Sequence, residues 1–394
     1  MNGSKKNIFL VILDSVRRDN FFDLIKNKFI PELRKDFVDF KNCNSIYTNT
    51  FLSHYALFFG DYLNIAKNQC FPTQLKDLGY HNRSYCNYAV LLGYPHKINS
   101  HNKLEGINRP SIIKIIEDLG IETKFDLENK DFGKRVEDFY GAADDFENKI
   151  PRKWKEYIQQ INNEKTFMYL HFWTTHHNYG INEFLENKIT GKNYADIGKS
   201  LVNRIIDRNL TEKFVKKVYY MRISEVINTL IRDFVETLKR KGIYDDCLII
   251  ITADHGEGLG DIGYNCTKHL LPLYYFGKRI YGKIKRDFLT RAPEVRRIFS
   301  CRWDRNVFFH NGGYDFQKQI PLFIKFPKQL FGGINYYKEV SLFDIIHTVN
   351  EFTGDSLKMN NNLGCSLFYL IKEGENAREK YKLKRTIDQS FQKL

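Results

Sequence analysis

The chain has 394 residues, 42% of them hydrophobic and 15% aromatic. That excludes global disorder and supplies a sizeable core for one large domain with an appendage, or for two domains. Lys and Arg number 61 against 47 Asp and Glu, a net charge of +14, which points to an anionic partner: nucleic acid, lipid headgroups or an acidic substrate.

The N-terminus has two lysines and then six apolar residues, Ile8 to Leu13, before Asp14. The run is too short for a signal-peptide core, and no small-residue cleavage site follows it. No apolar run in the chain approaches the roughly 18 residues of a membrane span. The expected setting is therefore cytoplasmic. The seven cysteines are scattered and form no C-x-x-C pair, so neither a zinc ribbon nor a disulfide framework is supported.

Ile8–Leu13 is a continuous aliphatic run and reads as a parallel strand buried on both faces. Three similar runs follow: Thr166–Phe172, leading to Trp173 and His176-His177; Cys247–Thr252, ending in Ala253-Asp254-His255-Gly256; and Ile320–Phe326, stopped by Pro327. Between Thr166–Phe172 and Cys247–Thr252, Leu210 to Arg240 has the periodicity of a long amphipathic helix, with Gly242 just past its basic last turn as a stop. Strands alternating with helices predict an α/β sheet. In such sheets, sites form from polar residues just beyond the strand C-termini, here Asp14, His176, Asp254 and His255.

Residues 270–306 carry ten Lys or Arg against three Asp or Glu, half the net charge of the chain, interleaved with Tyr274, Tyr275, Phe276 and Tyr281. This stretch reads as a clamp for a polyanionic substrate, as a membrane-surface anchor for a lipid-linked one, or as a solvated insertion. No nucleic-acid recognition motif accompanies the charge, so sequence-specific nucleic-acid binding is not expected. The end of the chain, 372–394, is a charged tail.

Taken singly, Asp14 after a strand suggests a helix N-cap and Asp254-His255-Gly256 a turn. Together, two carboxylates, an imidazole and a hydroxyl make a ligand set for a hard or borderline divalent cation. The order of blocks adds a resemblance. Leu13-Asp14-Ser15-Val16-Arg17-Arg18-Asp19 is followed by Tyr47-Thr48-Asn49-Thr50-Phe51-Leu52-Ser53-His54 and a short apolar helix ending at Gly60. Then come Leu170-His171-Phe172 with His176, Asp254-His255-Gly256-Glu257 with Leu259-Gly260-Asp261, and His310 with Tyr314-Asp315 and Gln319-Ile320-Pro321-Leu322. Val340-Ser341-Leu342-Phe343-Asp344 and Gly364-Cys365-Ser366-Leu367 close the series.

This ordered set, over roughly residues 7–371, resembles the sulfatase-like branch of the alkaline phosphatase superfamily. The resemblance implies a central, mostly parallel sheet flanked by helices. It places residues 1–371 in one catalytic domain with a small C-terminal part from about 330. It also implies Asp14, Asp254 and His255 as ligands of one divalent cation (Ca²⁺, Mg²⁺ or Mn²⁺, with Zn²⁺ an alternative), and Thr50 as both nucleophile and fourth ligand. His176, with His177 as its substitute, and His310 would face the tetrahedral oxyanion or the leaving group. Lys268, His54 and Asn87 would contact substrate.

Two departures shape the expected chemistry. No Cys/Ser-x-Pro-x-Arg motif for formylglycine is present; Thr50 stands at the nucleophile position, with Leu52 and His54 where Pro and Arg are usual. Ser15 stands where a second Asp often follows the first, which favours one metal over two. A formylglycine hydrate can expel sulfate by elimination, whereas a Thr sulfate must be attacked again. The expected enzyme is thus a hydrolase or transferase of phosphate or phosphodiester esters on a glycan- or lipid-linked anionic substrate. A true sulfatase and a non-catalytic anion-binding relative are the alternatives.

Overall fold

The computed structural model describes residues 7–26, 31–60, 70–85, 153–162, 164–172, 175, 216–217, 219–224, 226–259, 315–354, 356–358, 363–374 and 379. Asn87, His176, His177, Lys268, His310, the basic stretch 270–306 and the tail beyond 379 lie outside the described residues.

The strands are β1 (Ile8–Leu13), β2 (Val38–Asn44), β3 (His81–Tyr85), β4 (Thr166–Phe172), β5 (Leu248–Ala253), β6 (Gln319–Ile320), β7 (Leu322–Lys325) and β8 (Asn335–Ser341). They form one sheet in the order β3-β4-β1-β5-β7-β2, with β6 and β8 also pairing β2. The β3-β4, β4-β1 and β1-β5 pairs are parallel, as is β2-β8. β1 lies in the middle with every residue buried, which is why its sequence shows no polar alternation.

The run Ile320–Phe326 is not a parallel strand. It splits into β6 and β7, both antiparallel to their neighbours. Pro321 has no N–H for the ladder and interrupts it; its carbonyl instead accepts a hydrogen bond from Thr252 Oγ1 at 2.8 Å.

The helices are α1 (Arg18–Lys26), α2 (Pro31–Lys35), α3 (Thr50–Phe59), α4 (Phe71–Asp77), α5 (Lys153–Gln159), α6 (Arg232–Arg240), α7 (Asp315–Lys318), α8 (Phe343–Thr353) and α9 (Leu367–Glu373). The described part of the long amphipathic segment contains a π-helical turn, Val226–Ile231, immediately before α6. Gly242, at φ +73°, ends α6: its N–H bonds the Lys239 carbonyl and that of Ile243 bonds Leu238, the two-bond motif expected of a left-handed C-terminal glycine.

The segment from about residue 330 does not form a sheet of its own among the described residues: β8 extends the main sheet beside β2, and α8 packs on α3. Buried Asp344 fixes that end, with Oδ2 accepting from Ser341 N and Oδ1 from Cys365 N, each at 2.7 Å. Gly364 presses onto α8 so closely that a Cβ there would lie 2.4 Å from His347 Cδ2 and 2.5 Å from the Phe343 carbonyl oxygen.

Registration positions the site. Leu13 stands opposite both Phe172 and Ala253, so Asp14 and Asp254 leave the sheet side by side at the C-terminal edge of the parallel strands. The Asp14 N–H continues the ladder to the Phe172 carbonyl at 3.0 Å. β2 runs in the same sense as β5 and delivers Ser45 to the same edge, where its hydroxyl donates to the Asp254 carbonyl.

Candidate active site

Thr50 is the first residue of α3. Asn49 is the N-cap, its side chain accepting from Leu52 N at 2.9 Å; neither Thr50 nor Ser53 serves as the cap. The helix ends at Gly60, φ +65°, which donates to the Ala56 carbonyl. Thr50 Oγ1 is thus held at a helix N-terminus, where the aligned peptide dipoles favour negative charge.

The Thr50 hydroxyl lies 3.3 Å from Asp14 Oδ2 and 3.1 Å from His255 Nε2. His255 Nδ1 is 2.8 Å from the Gly256 carbonyl. A carbonyl only accepts, so Nδ1 carries the proton and Nε2 turns its lone pair to Thr50. The following turn is tightly seated: a Cβ on Gly256 would meet the Phe316 carbonyl oxygen at 2.5 Å.

Asp14 is not a helix cap, since α1 starts at Arg18. Its Oδ1 accepts from Ser15 Oγ at 2.7 Å, and its Oδ2 faces Thr50 and lies 3.0 Å from His171 Nε2. Asp254 Oδ1 accepts two backbone N–H groups, Ser15 at 3.0 Å and His255 at 2.8 Å. Asp254 Oδ2 is buried, accepts no hydrogen bond among the described residues, and lies 3.5 Å from His255 Nε2. Burial, reinforced by the Asp14 charge, pushes the Asp254 carboxyl up to about 6.

Ser15 therefore ties both carboxylates together. It does so with a left-handed backbone, φ +60°, unusual for a residue other than glycine. Tyr219 holds this turn from the far side: its hydroxyl donates to the Ser15 carbonyl at 2.7 Å and accepts from Arg17 N at 2.8 Å. Tyr219 and Ser15 gain these parts only through contacts some 200 residues apart in sequence, and no local motif signals them.

The donor set fits a divalent cation. Ligand atoms of Asp14, Asp254 and His255 lie within 4.8 Å of one another. The separations of 3.1, 3.3 and 3.5 Å among neighbouring donors are close to the roughly 3.3–3.6 Å between ligands bound tetrahedrally at about 2.0–2.2 Å. A cation would also satisfy the buried Asp254 Oδ2 and offset the repulsion between the two carboxylates.

His54, expected at the substrate, faces inward instead. Its ring is 1% exposed. Nδ1 donates to the Thr50 carbonyl at 2.7 Å and Nε2 accepts from the Tyr169 hydroxyl at 2.5 Å. Burial, with neighbouring His171, drives its pKa down to about 3, so it is neutral at physiological pH. Side chains in α3 at 50 and 54 share a face, and this is why a residue four positions after the nucleophile supports it from below rather than reaching substrate. His171, in β4, is wholly buried beside it, and burial brings its pKa down to about 4.

A family model described as Sulfatase matches residues 6–354. The chain belongs to the sulfatase family. Among solved structures, this sulfatase-family chain is similar to a phosphonate monoester hydrolase of Agrobacterium radiobacter, at 14% identity over 94% of this chain and 78% of that one, with a TM-score of 0.53. A second phosphonate monoester hydrolase, from Silicibacter pomeroyi, matches at 15% identity over 93% and 76% of the two chains, TM-score 0.49. The soluble domain of lipooligosaccharide phosphoethanolamine transferase A from Neisseria meningitidis matches at 15% identity over 92% of each chain, TM-score 0.48. No curated protein matches the sequence significantly. The fold expected from the ordered motifs, a mostly parallel alkaline-phosphatase-like sheet with flanking helices, is the fold observed.

Proposed function

We propose that the chain, an ester hydrolase or transferase of the sulfatase family, works through a covalent Thr50 intermediate on phosphate or phosphodiester groups of a glycan- or lipid-linked anionic substrate. One observation carries this reading: a hydroxyl at a helix N-terminus, 3.3 Å from Asp14 Oδ2 and 3.1 Å from His255 Nε2, beside a buried carboxylate oxygen with no hydrogen bond of its own.

Asp14, Asp254, His255 and Thr50 would hold one divalent cation. When bound, such an ion lowers the pKa of a coordinated hydroxyl and polarises an ester oxygen. Thr50 Oγ1 then forms a bond to phosphorus while the bond from phosphorus to the leaving oxygen breaks, and that oxygen takes up a proton. Water or an acceptor hydroxyl next attacks the Thr50 phosphoester, and Thr50 Oγ1 departs. His176 and His310 are assigned to the oxyanion and the leaving group, and Lys268 and Asn87 to substrate contact. His54 takes the role of positioning Thr50. The basic stretch 270–306 is assigned to the polyanionic or lipid-linked part of the substrate, in a cytoplasmic or membrane-peripheral setting. Among the described residues no helix is long and apolar enough to cross a membrane.

Phosphorus is preferred to sulfur because position 50 is Thr and the formylglycine motif is missing. The test is a turnover panel with nitrophenyl phosphate, bis-nitrophenyl phosphate and nitrophenyl sulfate, with Mn²⁺, Mg²⁺, Ca²⁺ or Zn²⁺ in turn, for the wild type and Thr50→Ala. Cation-dependent release from a phosphoester, lowered roughly 10³-fold or more in the variant, is the expected result. Release from the sulfate alone would make the chain a sulfatase without formylglycine. Bound cation without any turnover would point to the non-catalytic anion-binding alternative, or to a transferase needing its own acceptor.

A further inference from the structure

We propose that Tyr219 is a positioning residue of the cation site: its hydroxyl holds the backbone turn at Ser15 and, through that turn, both carboxylates that face the ion. This rests on the reading of Asp14, Asp254 and His255 as cation ligands. The ordered sequence blocks do not contain Tyr219, and in chain order it is 204 residues from Ser15.

Asp14 and Ser15 leave β1 with each backbone polar group matched to a partner of its own. The Asp14 N–H donates to the Phe172 carbonyl at 3.0 Å, and the Asp14 carbonyl accepts from Thr175 Oγ1. The Ser15 N–H donates to Asp254 Oδ1 at 3.0 Å, and the Ser15 carbonyl accepts from the Tyr219 hydroxyl at 2.7 Å. That same hydroxyl accepts from the Arg17 N–H at 2.8 Å. A carbonyl only accepts and an N–H only donates, so the hydroxyl proton has one place, on the line to Ser15. Burial holds the Tyr219 pKa well above the ordinary tyrosine value, and the proton stays there. Tyr219 thus spans the turn, with one bond before Val16 and one after it. Tyr219 and Ile223, four positions apart on one helical face, are both wholly buried, so the ring has a fixed seat.

The turn needs such a clamp. Ser15 sits at φ +60°, a left-handed conformation that a residue with a Cβ adopts at a cost. Both carboxylates depend on it: Ser15 Oγ donates to Asp14 Oδ1 at 2.7 Å, and Ser15 N donates to Asp254 Oδ1. With each Oδ1 pinned, each Oδ2 is aimed. That of Asp14 lies 3.3 Å from Thr50 Oγ1, and that of Asp254 lies 3.5 Å from His255 Nε2. If Ser15 relaxes to a right-handed backbone, its N–H and its hydroxyl swing away together and both Oδ2 atoms lose that aim. Tyr219 acts through Ser15 rather than as a ligand: among the described residues, the ligand atoms that lie within 4.8 Å of one another belong to Asp14, Asp254 and His255.

The test is the affinity of the full chain for Mn²⁺, measured by competition with a fluorescent chelator and therefore independent of turnover. Tyr219→Phe keeps the ring and removes the clamp. Mn²⁺ binding is expected to weaken about 10-fold, the lower end of what residues that orient metal ligands contribute. Tyr244→Phe is the control for a lost buried hydroxyl. Tyr244 donates to Asp36 Oδ2 at 2.9 Å just before β5, at the end of that strand remote from Asp254, and its variant should bind Mn²⁺ as the wild type does. Should Tyr219→Phe not fold, the same substitution is made together with Ser15→Gly, which takes the left-handed turn without strain, and is compared with Ser15→Gly alone; the double variant is again expected to bind about 10-fold less tightly. Wild-type affinity in folded Tyr219→Phe, a double variant no weaker than Ser15→Gly, or equal weakening in Tyr219→Phe and Tyr244→Phe would overturn the proposal. A wild-type protein that binds no Mn²⁺ would instead overturn the cation reading beneath it, an outcome distinguishable because it appears before any variant is compared.

Discussion

Asp344 and Asp254 are both buried carboxylates, and the protein treats them in opposite ways. Asp344 has each oxygen matched to a backbone N–H, from Ser341 and Cys365, and so ties β8, α8 and the segment before α9 into one unit. Asp254 has two N–H groups crowded on one oxygen, none among the described residues on the other, and a second carboxylate close by. Burial, with the Asp14 charge beside it, pushes its carboxyl up to about 6. Asp344 is satisfied where it stands, whereas Asp254 keeps a buried oxygen that, under the proposed function, a cation would satisfy. The contrast separates two kinds of buried acid that composition cannot tell apart.

The largest expected effect falls on the satisfied carboxylate. Asp344→Ala strands two backbone donors and should cost about 3–5 kcal/mol in urea unfolding, with Mn²⁺ affinity per folded molecule unchanged. Asp254→Asn is expected to do the reverse: chelator competition should show cation binding weakened by about 100-fold or more, while the metal-free protein unfolds at or above the wild-type midpoint, because a like-charge repulsion is gone. If both variants lose stability alike, the contrast fails.

Removal of the cation sharpens it further. At a Mn²⁺ concentration of about 100 times Kd, chelation should lower the stability of the wild type by about 2.7 kcal/mol. The Asp254→Asn protein should show little response, and a thermal scan with and without chelator reads the difference. Two glycines repeat the comparison on a smaller scale. Gly364→Ala and Gly256→Ala each force a Cβ against backbone oxygen and should each cost about 1–3 kcal/mol. Only Gly256→Ala, next to His255, should also weaken Mn²⁺ binding. The smallest effect is Ser15→Ala, which removes the hydroxyl on Asp14 Oδ1 and should lower stability by about 1 kcal/mol.

Much of this arrangement was legible in the chain itself. Aliphatic runs ending in Asp14 and in Asp254-His255 announce buried parallel strands with polar groups at their ends, because a strand covered on both faces excludes polar residues until it leaves the sheet. β4 has the bounds read from the sequence, Gly60 and Gly242 end their helices as read, and Thr50, Asp14, Asp254 and His255 lie together at one edge of the sheet. The bulk of what was illegible lies in direction and facing. Nothing local reveals that the run after Pro321 is antiparallel, since a buried apolar strand looks the same in either sense. Likewise β2 and β8, with polar residues among their apolar ones, carry no strong strand signal.

Sequence by itself determined the sheet's apolar centre and the family to which the chain belongs, because these depend on composition and spacing within short segments. Tertiary structure alone decided that His54 packs beneath Thr50. His54 turns away from substrate because α3 packs on β4, where Tyr169 takes its Nε2. His171 meets Asp14 because parallel registration sets β4 beside β1. A hydrogen bond between side chains 115 residues apart, and a close approach between two others 157 apart, exist only once the sheet has closed around them, and no spacing along the chain encodes them.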